Sequence, residues 1–370
     1  MKIFVTGTRG IPDIPGGVER HCQELYPRIA AAGHDVIVAT RASYVTQKKS
    51  CWQGVHLCHL YAPKKKSIEA IVHTLFAVLK ARAMNADILH VHAVGPGLLV
   101  PLARVLGLRV VVTNHGPDYN RAKWGKVARA MLRSGEYLGG KFANEVIVIS
   151  TGIADILRER FGRTTHLIYN GVSLPEKSKK TDFLEQLGIR PGKYILAVAR
   201  FVPEKGLHDL IRAFKGLSFD SQLVLAGDAD HESDYSAALK KQAGQDKRII
   251  LTGYIGGEKL NQVFSHAGLF VLPSYHEGLP IALLEAMSYD LPLLVSDIAA
   301  NREVGLDKKR YFPCGHVEAL QSALQKPELW SMELAERQRY QSLLQEKYNW
   351  KAIAAQTIKV YETAFGRKSA

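Results

Sequence analysis

The sequence predicts two α/β domains, each built on a doubly wound parallel sheet with helices on both faces. Its length of 370 residues suits two domains better than one. Short apolar runs alternate with helical patterns along nearly the whole chain, which is typical of parallel sheets. The alternation breaks once, after Val172, at a polar and charged stretch, and then starts again. We therefore expect two successive domains of similar size.

The first half of the chain begins with an apolar strand and an amphipathic helix. Apolar side chains at helical spacing run from Val18 through Leu25 to Ile29, and Gly33 follows as a stop signal. Further helices are predicted over 67–84 and from residue 97. The predicted strands of this half are 3–5, 36–38, 55–57, 88–91, 109–113 and 146–149.

The second half repeats the pattern after a predicted linker over 173–191. A helix is expected over 207–214, and the strands are expected at 194–198, 223–226, 249–251, 269–272 and 293–295. The predicted domains are thus 1–172 and 192–348. Residues 349–370 form a helical pattern with no strand after it, and we expect this helix to pack back on the first domain.

The loops that follow the first strand of each domain carry anion-binding signals. Gly16 and Gly17 open the first helix, where backbone N–H groups and the helix dipole favour a phosphate. In the second domain, Arg200 and Lys205 flank a turn into a helix, an arrangement that suits a diphosphate. The alternative is a glycine turn and two surface cations that bind nothing.

Two glutamates follow a later strand of the second domain. Glu277 lies in the loop, and Glu285 lies in an otherwise apolar helix. Burying an unpaired carboxylate is costly, so Glu285 needs either a partner or an exposed position. It could accept hydrogen bonds from ribose hydroxyls, or it could lie on the outer face of the helix.

These motifs together resemble the retaining glycosyltransferases of the two-domain GT-B fold, family 4 or group 1. The resemblance is carried by two glutamates eight positions apart within Pro273-Ser-x-x-Glu-Gly-x-Pro and by the earlier Arg and Lys five apart. It extends along nearly the whole chain, through Asn114-His115-Gly116 and Asn170-Gly171-Val172. Asn114 and Ser173 depart from the family's Thr and Asp. The stretch 115–125 is similar to a bacterial subgroup linked to rhamnosyl and exopolysaccharide transfer.

The resemblance implies a GT-B architecture, with two Rossmann-like domains facing a central cleft, the N-terminal one on the acceptor side. It implies that a nucleotide-diphosphate sugar is the donor and that a glycan or lipid-linked molecule is the acceptor. It also implies retention of the anomeric configuration, with no metal and no other cofactor required.

The implied site residues fall into three groups. The catalytic group is His115, Arg200, Lys205 and Glu277. The donor-binding group is Gly16, Gly17, Arg200, Lys205, Glu277, Gly278, Leu279 and Glu285. The loop residues predicted for the acceptor are Asp118, Tyr119 and Arg121.

Two patterns point to other chemistry. Tyr137 and Lys141 satisfy the Tyr-x-x-x-Lys of short-chain dehydrogenases, and Asp228-Ala229-Asp230 mimics a metal-binding Asp-x-Asp. We interpret the first as part of a basic helix and the second as a loop. A nucleotide-sugar epimerase or a non-catalytic nucleotide-sugar binder of the same fold is the alternative function.

The net charge of +14 lies mainly in residues 1–170, which hold 23 Lys+Arg against 11 Asp+Glu. By charge alone, nucleic acid, an anionic lipid surface, a phosphate-bearing acceptor and a solvated surface without a partner all fit. With the glycosyltransferase resemblance, we expect no nucleic-acid partner. Basic residues over 121–141 could contact lipid, or they could be solvated charges on a helix whose apolar residues are core. No apolar run approaches membrane-span length, so a cytoplasmic enzyme is expected, peripheral on the inner face of the plasma membrane where that helix binds lipid.

Overall fold

The computed structural model describes residues 1–45, 49–63, 68–117, 119, 125–218, 220–229 and 232–366. The chain divides into two compact units. The first comprises Met1–Gly171 together with Tyr348–Ala370, and the second is Val172–Lys347.

Strands and helices alternate along the described chain. The strands are β1 Lys2–Thr6, β2 Asp35–Arg41, β3 Cys51–Trp52, β4 Val55–Leu60, β5 Ile88–His92, β6 Val110–Asn114, β7 Glu145–Val148, β8 His166–Leu167, β9 Tyr194–Val198, β10 Gln222–Ala226, β11 Ile249–Gly253, β12 Leu269–Leu272, β13 Leu293–Ser296 and β14 Tyr311–Phe312. The α-helices are α1 Gly17–Ala31, α2 Glu69–Ala83, α3 Val100–Val105, α4 Lys126–Phe142, α5 Thr151–Phe161, α6 Asp182–Gln186, α7 Leu207–Lys215, α8 Asp234–Ala243, α9 Gly257–Ser265, α10 Ile281–Ser288, α11 Ala299–Val304, α12 Val317–Leu324, α13 Leu334–Lys347 and α14 Trp350–Gly366.

The sheet of the first unit has the strand order β3-β4-β2-β1-β5-β6-β7-β8. Its pairs are parallel except for β3 with β4, which is a short antiparallel edge. The order reverses direction between β1 and β5, so the loops that follow these two strands diverge. Such a switch point opens a crevice at the carboxyl ends of the strands, where α/β proteins bind ligands.

The sheet of the second unit has the order β11-β10-β9-β12-β13-β14, and all of its pairs are parallel. Numbered from its own first strand, this is the 3-2-1-4-5-6 order of the Rossmann fold. Its switch point lies between β9 and β12. The predicted fold class, two doubly wound α/β domains, is confirmed.

The core of the first unit lies between its sheet, α1 and α14. The apolar stripe predicted for the first helix is buried, with Leu25 and Ile29 each 0–1% exposed. Ile353 and Tyr361 of α14 are buried in the same cluster as Ile3 of the first strand. Because burial of these two α14 side chains removes apolar surface from water, α14 contributes to the stability of the first unit. It does so although its residues lie more than 340 positions after the first strand.

A buried ion pair lies in the second unit, where Arg310 is 0% exposed. Its guanidinium donates to Glu336 from Nε at 2.8 Å and from Nη2 at 3.0 Å, and further N–H groups donate to the carbonyls of Leu329 and Ser331. Burial alone would raise the pKa of Glu336, but hydrogen bonds and charge from Arg310, with Tyr340 and Lys309, lower that pKa to about 2.

We expect Glu336→Leu to lower the free energy of unfolding by about 3–5 kcal/mol, because it leaves the Arg310 charge buried and unpaired. Chemical denaturation monitored by circular dichroism measures the loss. In the wild type, the contribution of this carboxylate is complete above the pKa of an unfolded Glu and is lost as the pH falls toward 2. A Glu336→Leu variant as stable as the wild type at pH 7 would contradict the expectation.

Candidate functional site

The loops after β9 and β12 meet at the switch point of the second unit. Gly206, which has a φ of +63°, ends the turn after β9, and a Cβ atom there would lie 2.1 Å from the carbonyl oxygen of Pro273. The amide of Tyr275 donates to the carbonyl of Glu204 at 2.9 Å. Glycine is needed at position 206 because any side chain would push the two loops apart.

Lys205 and Glu277, predicted from separate motifs, form an ion pair across these two loops. The Nζ of Lys205 lies 2.7 Å from both Oε1 and Oε2 of Glu277. The side chains are 18% and 9% exposed, respectively. Charge-assisted hydrogen bonds of this length are among the strongest in proteins. Lys205 is the more exposed of the two partners.

Ser274 holds Glu277 in place and was not singled out from the sequence. Its Oγ donates to Oε1 of Glu277 at 2.7 Å, and its own carbonyl accepts from Ser296 Oγ at 2.5 Å. Asn301 in turn donates to the carbonyl of Ser296 at 2.8 Å. The motif Pro273-Ser274 was the signal from which Ser274 could have been predicted as a site residue. Ser296 and Asn301 lie on later elements, where no local pattern marks them.

A second polar cluster lies beside the ion pair. Asp209, buried in the first turn of α7, accepts from the hydroxyl of Tyr275 and from the guanidinium of Arg212. The rings of Tyr275 and His208 stack with their centroids 5.9 Å apart. Burial and the Asp209 hydrogen bond raise the pKa of Tyr275 to about 12, so its hydroxyl stays protonated near neutral pH.

The remaining predicted donor residues of the second unit lie close along the chain to the ion pair. Arg200 follows β9, and its carbonyl accepts from the amide of Val202 at 2.9 Å. Leu279 is buried and Gly278 is partly exposed just before α10. Glu285 lies within α10 and is partly exposed. The switch point therefore places the glutamate and the cations of the two predicted motifs on neighbouring loops.

In the first unit, the predicted glycines lie at the start of α1. Gly16 is the N-cap residue with a φ of 140°, and a Cβ atom there would lie 2.1 Å from Oε2 of Glu19. Glu19 is buried and accepts from the amide of Arg9 at 3.0 Å and from its Nε at 3.2 Å. Gly17, the first helical residue, is exposed. The side chain of Glu19 thus fixes the loop that follows β1.

His115 directly follows β6 and belongs to a buried chain of hydrogen bonds that the sequence did not reveal. Its Nε2 lies 2.9 Å from Nδ1 of His92, and Nε2 of His92 lies 2.5 Å from the hydroxyl of Tyr26. The same hydroxyl lies 2.9 Å from Nδ1 of His90, which is also 2.6 Å from the hydroxyl of Tyr361 on α14. The chain of hydrogen bonds therefore runs from the C-terminal helix to the predicted site residue.

His21 on α1 completes a group of three histidines with His92 and His115. Its ring lies 5.0 Å from that of His115, and its Nδ1 lies 2.7 Å from Oδ1 of Asn170. Burial lowers the pKa of His21 to about 4, although the bond to Asn170 opposes the shift. Burial, then neighbouring histidines, hold the pKa values of His92 and His115 well below their usual range. These rings are neutral near pH 7, which is the form that hydrogen-bonds a sugar hydroxyl or binds a metal ion.

Asn114, which departs from the family's Thr, supports the loop that carries His115. Its Oδ1 accepts from the amide of Gly116 at 2.9 Å, and its Nδ2 donates to Glu136 at 3.2 Å. Tyr119 is 2% exposed and donates to the other oxygen of Glu136 at 2.9 Å. We therefore expect Tyr119 to shape this loop instead of contacting an acceptor. The predictions for Asp118 and Arg121 lie outside the described residues.

α4 presents a basic face. Lys126, Arg129, Arg133 and Lys141 are exposed on it, and Val127 is 76% exposed. Lys141 donates to the hydroxyl of Tyr137 at 2.8 Å, so the Tyr-x-x-x-Lys pattern is a contact on the surface of one helix. Among the described helices, none combines the length and the apolar character needed to cross a membrane.

The Asp-x-Asp pattern begins with Asp228, just after β10. The carboxylate of Asp228 is paired with Nζ of Lys240 at 2.8 Å. Asp230 lies outside the described residues. Asp228, the first aspartate of the pattern, is therefore ion-paired with a lysine of α8.

Comparison with known proteins agrees with this arrangement. Residues 179–342 match the family model "Glycosyl transferases group 1", and residues 15–175 match "Glycosyltransferase Family 4". An uncharacterized glycosyltransferase of Methanocaldococcus jannaschii is 25% identical, with 98% of each chain covered. The phosphatidyl-myo-inositol mannosyltransferase of Mycobacterium leprae is 27% identical, with 95% of this chain and 94% of the relative covered.

The solved structure of HepE from Anabaena in complex with UDP-glucose has the same fold. It superposes with a TM-score of 0.78 at 18% identity, covering 96% of this chain and 98% of that one. The two family models together span both units, and each unit carries its own switch-point loops. The chain is a glycosyltransferase of GT-B type, a transferase enzyme whose first unit matches the family 4 model and whose second unit matches the group 1 model.

Proposed function

We propose that the enzyme transfers a sugar, with retention of anomeric configuration, from a nucleotide-diphosphate sugar to a glycan or lipid-linked acceptor in bacterial cell-surface or exopolysaccharide synthesis. The observation that carries the proposal is the ion pair between Lys205 and Glu277 at the switch point of the second unit. Rossmann-type sheets bind nucleotides at this point. The structure of HepE with UDP-glucose supports the donor class by analogy.

In this proposal, Lys205 and Arg200 bind the donor diphosphate and stabilise its charge as it leaves. Cations fixed in place before the reaction do this effectively because they need not reorganise in the transition state. Glu277 accepts from hydroxyls of the donor sugar, while the backbone N–H groups of Gly278 and Leu279 bind nearby oxygens. The chain's own cations take the place of a metal ion.

We also propose roles for three further residues. Glu285 binds the ribose hydroxyls, Gly17 approaches the phosphates, and His115 contacts the transferred sugar. Gly17 begins a helix whose N-terminal N–H groups favour an anion. The proposed roles of Glu285 and His115 come from the family resemblance, and the partial exposure of both residues is compatible with ligand contact.

For the acceptor, we propose a molecule presented at an anionic membrane surface. The basic face of α4, defined by Lys126, Arg129, Arg133 and Lys141, supports this proposal because cationic helices are attracted to anionic lipid. Lys126, Arg129 and Arg133 lie three to four residues apart, so they share one side of the helix, and Lys141 follows two turns later. The relative from Mycobacterium leprae, named for mannosyl transfer to phosphatidyl-myo-inositol, offers a precedent for a lipid acceptor.

Reversing three charges of this face, in K126E/R129E/R133E, should weaken binding to vesicles. Each cation near an anionic surface contributes about 1 kcal/mol, so we expect a loss of at least about a hundredfold. Co-sedimentation with phosphatidylcholine vesicles, with and without added phosphatidylglycerol, measures it. The control K193E/K241E/K247E has the same net charge on exposed positions of the second unit. Equal losses in both variants, or no preference for anionic vesicles, would contradict the membrane proposal.

A donor screen tests the proposed reaction. UDP-glucose, UDP-galactose, GDP-mannose and dTDP-rhamnose are each added to the full chain, and the thermal midpoint and release of nucleoside diphosphate are measured. One donor should stabilise the folded state by mass action, and its nucleoside diphosphate should be released when acceptor is present. Stabilisation with conversion to an epimeric nucleotide sugar would favour the epimerase. Stabilisation without turnover across glycan and polyprenyl-diphosphate acceptors would favour a non-catalytic binder.

A further inference from the structure

The group His21, His92 and His115 has the composition of a metal site. Each residue offers one ring nitrogen, and these three atoms all lie within 4.8 Å of one another. All three belong to the first unit: His21 lies on α1, His92 ends β5, and His115 follows β6. They therefore converge at the switch point of this sheet, where its loops diverge.

One nitrogen in this group is buried and lacks a partner. Nε2 of His21 has no hydrogen-bond partner among the described residues, although His21 is only 3% exposed. Leaving a buried polar atom unsatisfied is destabilising, so such an atom requires an explanation. A metal ion bound to its lone pair would satisfy it.

The outward nitrogens of two of the rings are held as metal-binding histidines require. Nδ1 of His21 meets the amide oxygen of Asn170 at 2.7 Å, and Nε2 of His92 meets the hydroxyl of Tyr26 at 2.5 Å. When Nδ1–H of His21 and Nε2–H of His92 donate to these oxygens, the lone pairs fall on Nε2 of His21 and Nδ1 of His92. Second-shell contacts of this kind fix the tautomer and the ring plane.

The spacing suits a tetrahedral ion. Zinc–nitrogen distances of 2.0–2.1 Å place two ligand nitrogens about 3.3 Å apart. Nδ1 of His92 and Nε2 of His115 are 2.9 Å apart in the hydrogen bond that they form without an ion, and the widest pair is within 4.8 Å. An ion replaces this hydrogen bond, the proton of His115 then lies on its Nδ1, and small opposite movements of the rings reach the tetrahedral spacing. The partial exposure of His115 leaves a side from which water or substrate can reach a fourth position.

We propose that His21, His92 and His115 form a three-histidine site for a divalent transition-metal ion of the zinc class. Imidazole nitrogen is the ligand that such ions select, and these three side chains are buried or partly buried in one group. The proposal is compatible with the expectation that the enzyme needs no metal, because the bound ion is not required for transfer. Because the ion occupies His115, it inhibits transfer, and this consequence alone depends on the proposed function.

The untagged full-length protein, stripped with a chelator, is titrated with Co²⁺, and the visible ligand-field bands are recorded. We expect one equivalent to bind with the intense absorption of a tetrahedral ion and to be displaced by Zn²⁺. Asn170→Ala should weaken binding by about 10- to 100-fold, as outer-shell changes do. His21→Gln should weaken it further, whereas His56→Gln, on a side chain that is 64% exposed, should bind as the wild type does.

Each variant is also checked for its thermal midpoint without metal, and Asn170→Ala is the decisive variant if His21→Gln does not fold. A wild-type protein that shows no tetrahedral Co²⁺ spectrum would overturn the proposal. Equal binding by the wild type and both site variants would overturn it as well. These outcomes are independent of activity, so they do not depend on whether the donor and acceptor have been identified.

Discussion

Replacing Lys205 with alanine should lower the kcat of sugar transfer by at least about a hundredfold, the usual cost of removing one preorganised charge-stabilising group. Lys205 is the cation that the structure places against Glu277, with Nζ 2.7 Å from both carboxylate oxygens. In the proposed reaction, it stabilises the leaving diphosphate, whose charge is greater in the transition state than in the bound donor. The loss should therefore appear mainly in kcat, with a smaller change in KM.

A matched series separates this role from a structural one. Lys205→Ala leaves the largely buried carboxylate of Glu277, 9% exposed, without its cation, which costs stability whatever the function. The double variant K205A/E277Q removes both charges, so we expect it to recover the thermal midpoint but not the activity. Lys241→Ala, an exposed lysine of α8, serves as the control. Recovery of activity together with stability in the double variant would contradict a role in transfer for both side chains.

His115→Ala should lower kcat by about a hundredfold, provided that this ring donates to or accepts from the transferred sugar. Its Nε2 is engaged by His92, so Nδ1 is the nitrogen that remains for a ligand. Burial and the neighbouring His21 and His90 hold the pKa of His115 well below its usual range, so the ring is neutral at pH 7. We therefore expect kcat to show no ionisation of this histidine from about pH 6 to 8.

The measurement is a pH profile of kcat for the wild type and for His115→Asn, which keeps a polar group at this position. His56→Ala, an exposed histidine of β4, controls for general effects of losing an imidazole. A kcat unchanged in His115→Ala would contradict a role in the transferred sugar's site. A kcat that rises with a midpoint near 6.5 in the wild type, and not in His115→Asn, would contradict the neutral ring.

Much of the fold could be predicted because its long elements are strongly patterned. The buried strands are continuous apolar runs, and the apolar residues of α1 recur at helical spacing. Both kinds of element could therefore be predicted from the local sequence. The two-residue strands β3, β8 and β14 were missed because they are too short to carry a pattern. The helix predicted from residue 97 begins as a 3-10 turn over Pro96–Leu99, with α3 following it as a separate short helix.

The candidate site was predictable only where a motif lies on one loop. Lys205 and Glu277 were each predicted, but their direct contact spans 72 residues and depends on the strand order that brings β9 beside β12. The group around His115 was not found, because His21, His92 and Asn170 come from three distant segments. Long-range contacts of this kind have no signature in a single sequence, since neither spacing nor periodicity records them.

Transfer itself is the most direct test of the central claim, that the ion-paired loops of the second unit serve a retaining sugar transfer. The donor found in the screen is incubated with the full chain and a glycan or polyprenyl-diphosphate acceptor. Nucleoside diphosphate is then quantified, and the product's anomeric proton is examined by NMR. We predict one nucleoside diphosphate per sugar transferred, an unchanged anomeric configuration, and loss of both signals in Lys205→Ala. An inverted product, or full transfer by Lys205→Ala, would contradict it.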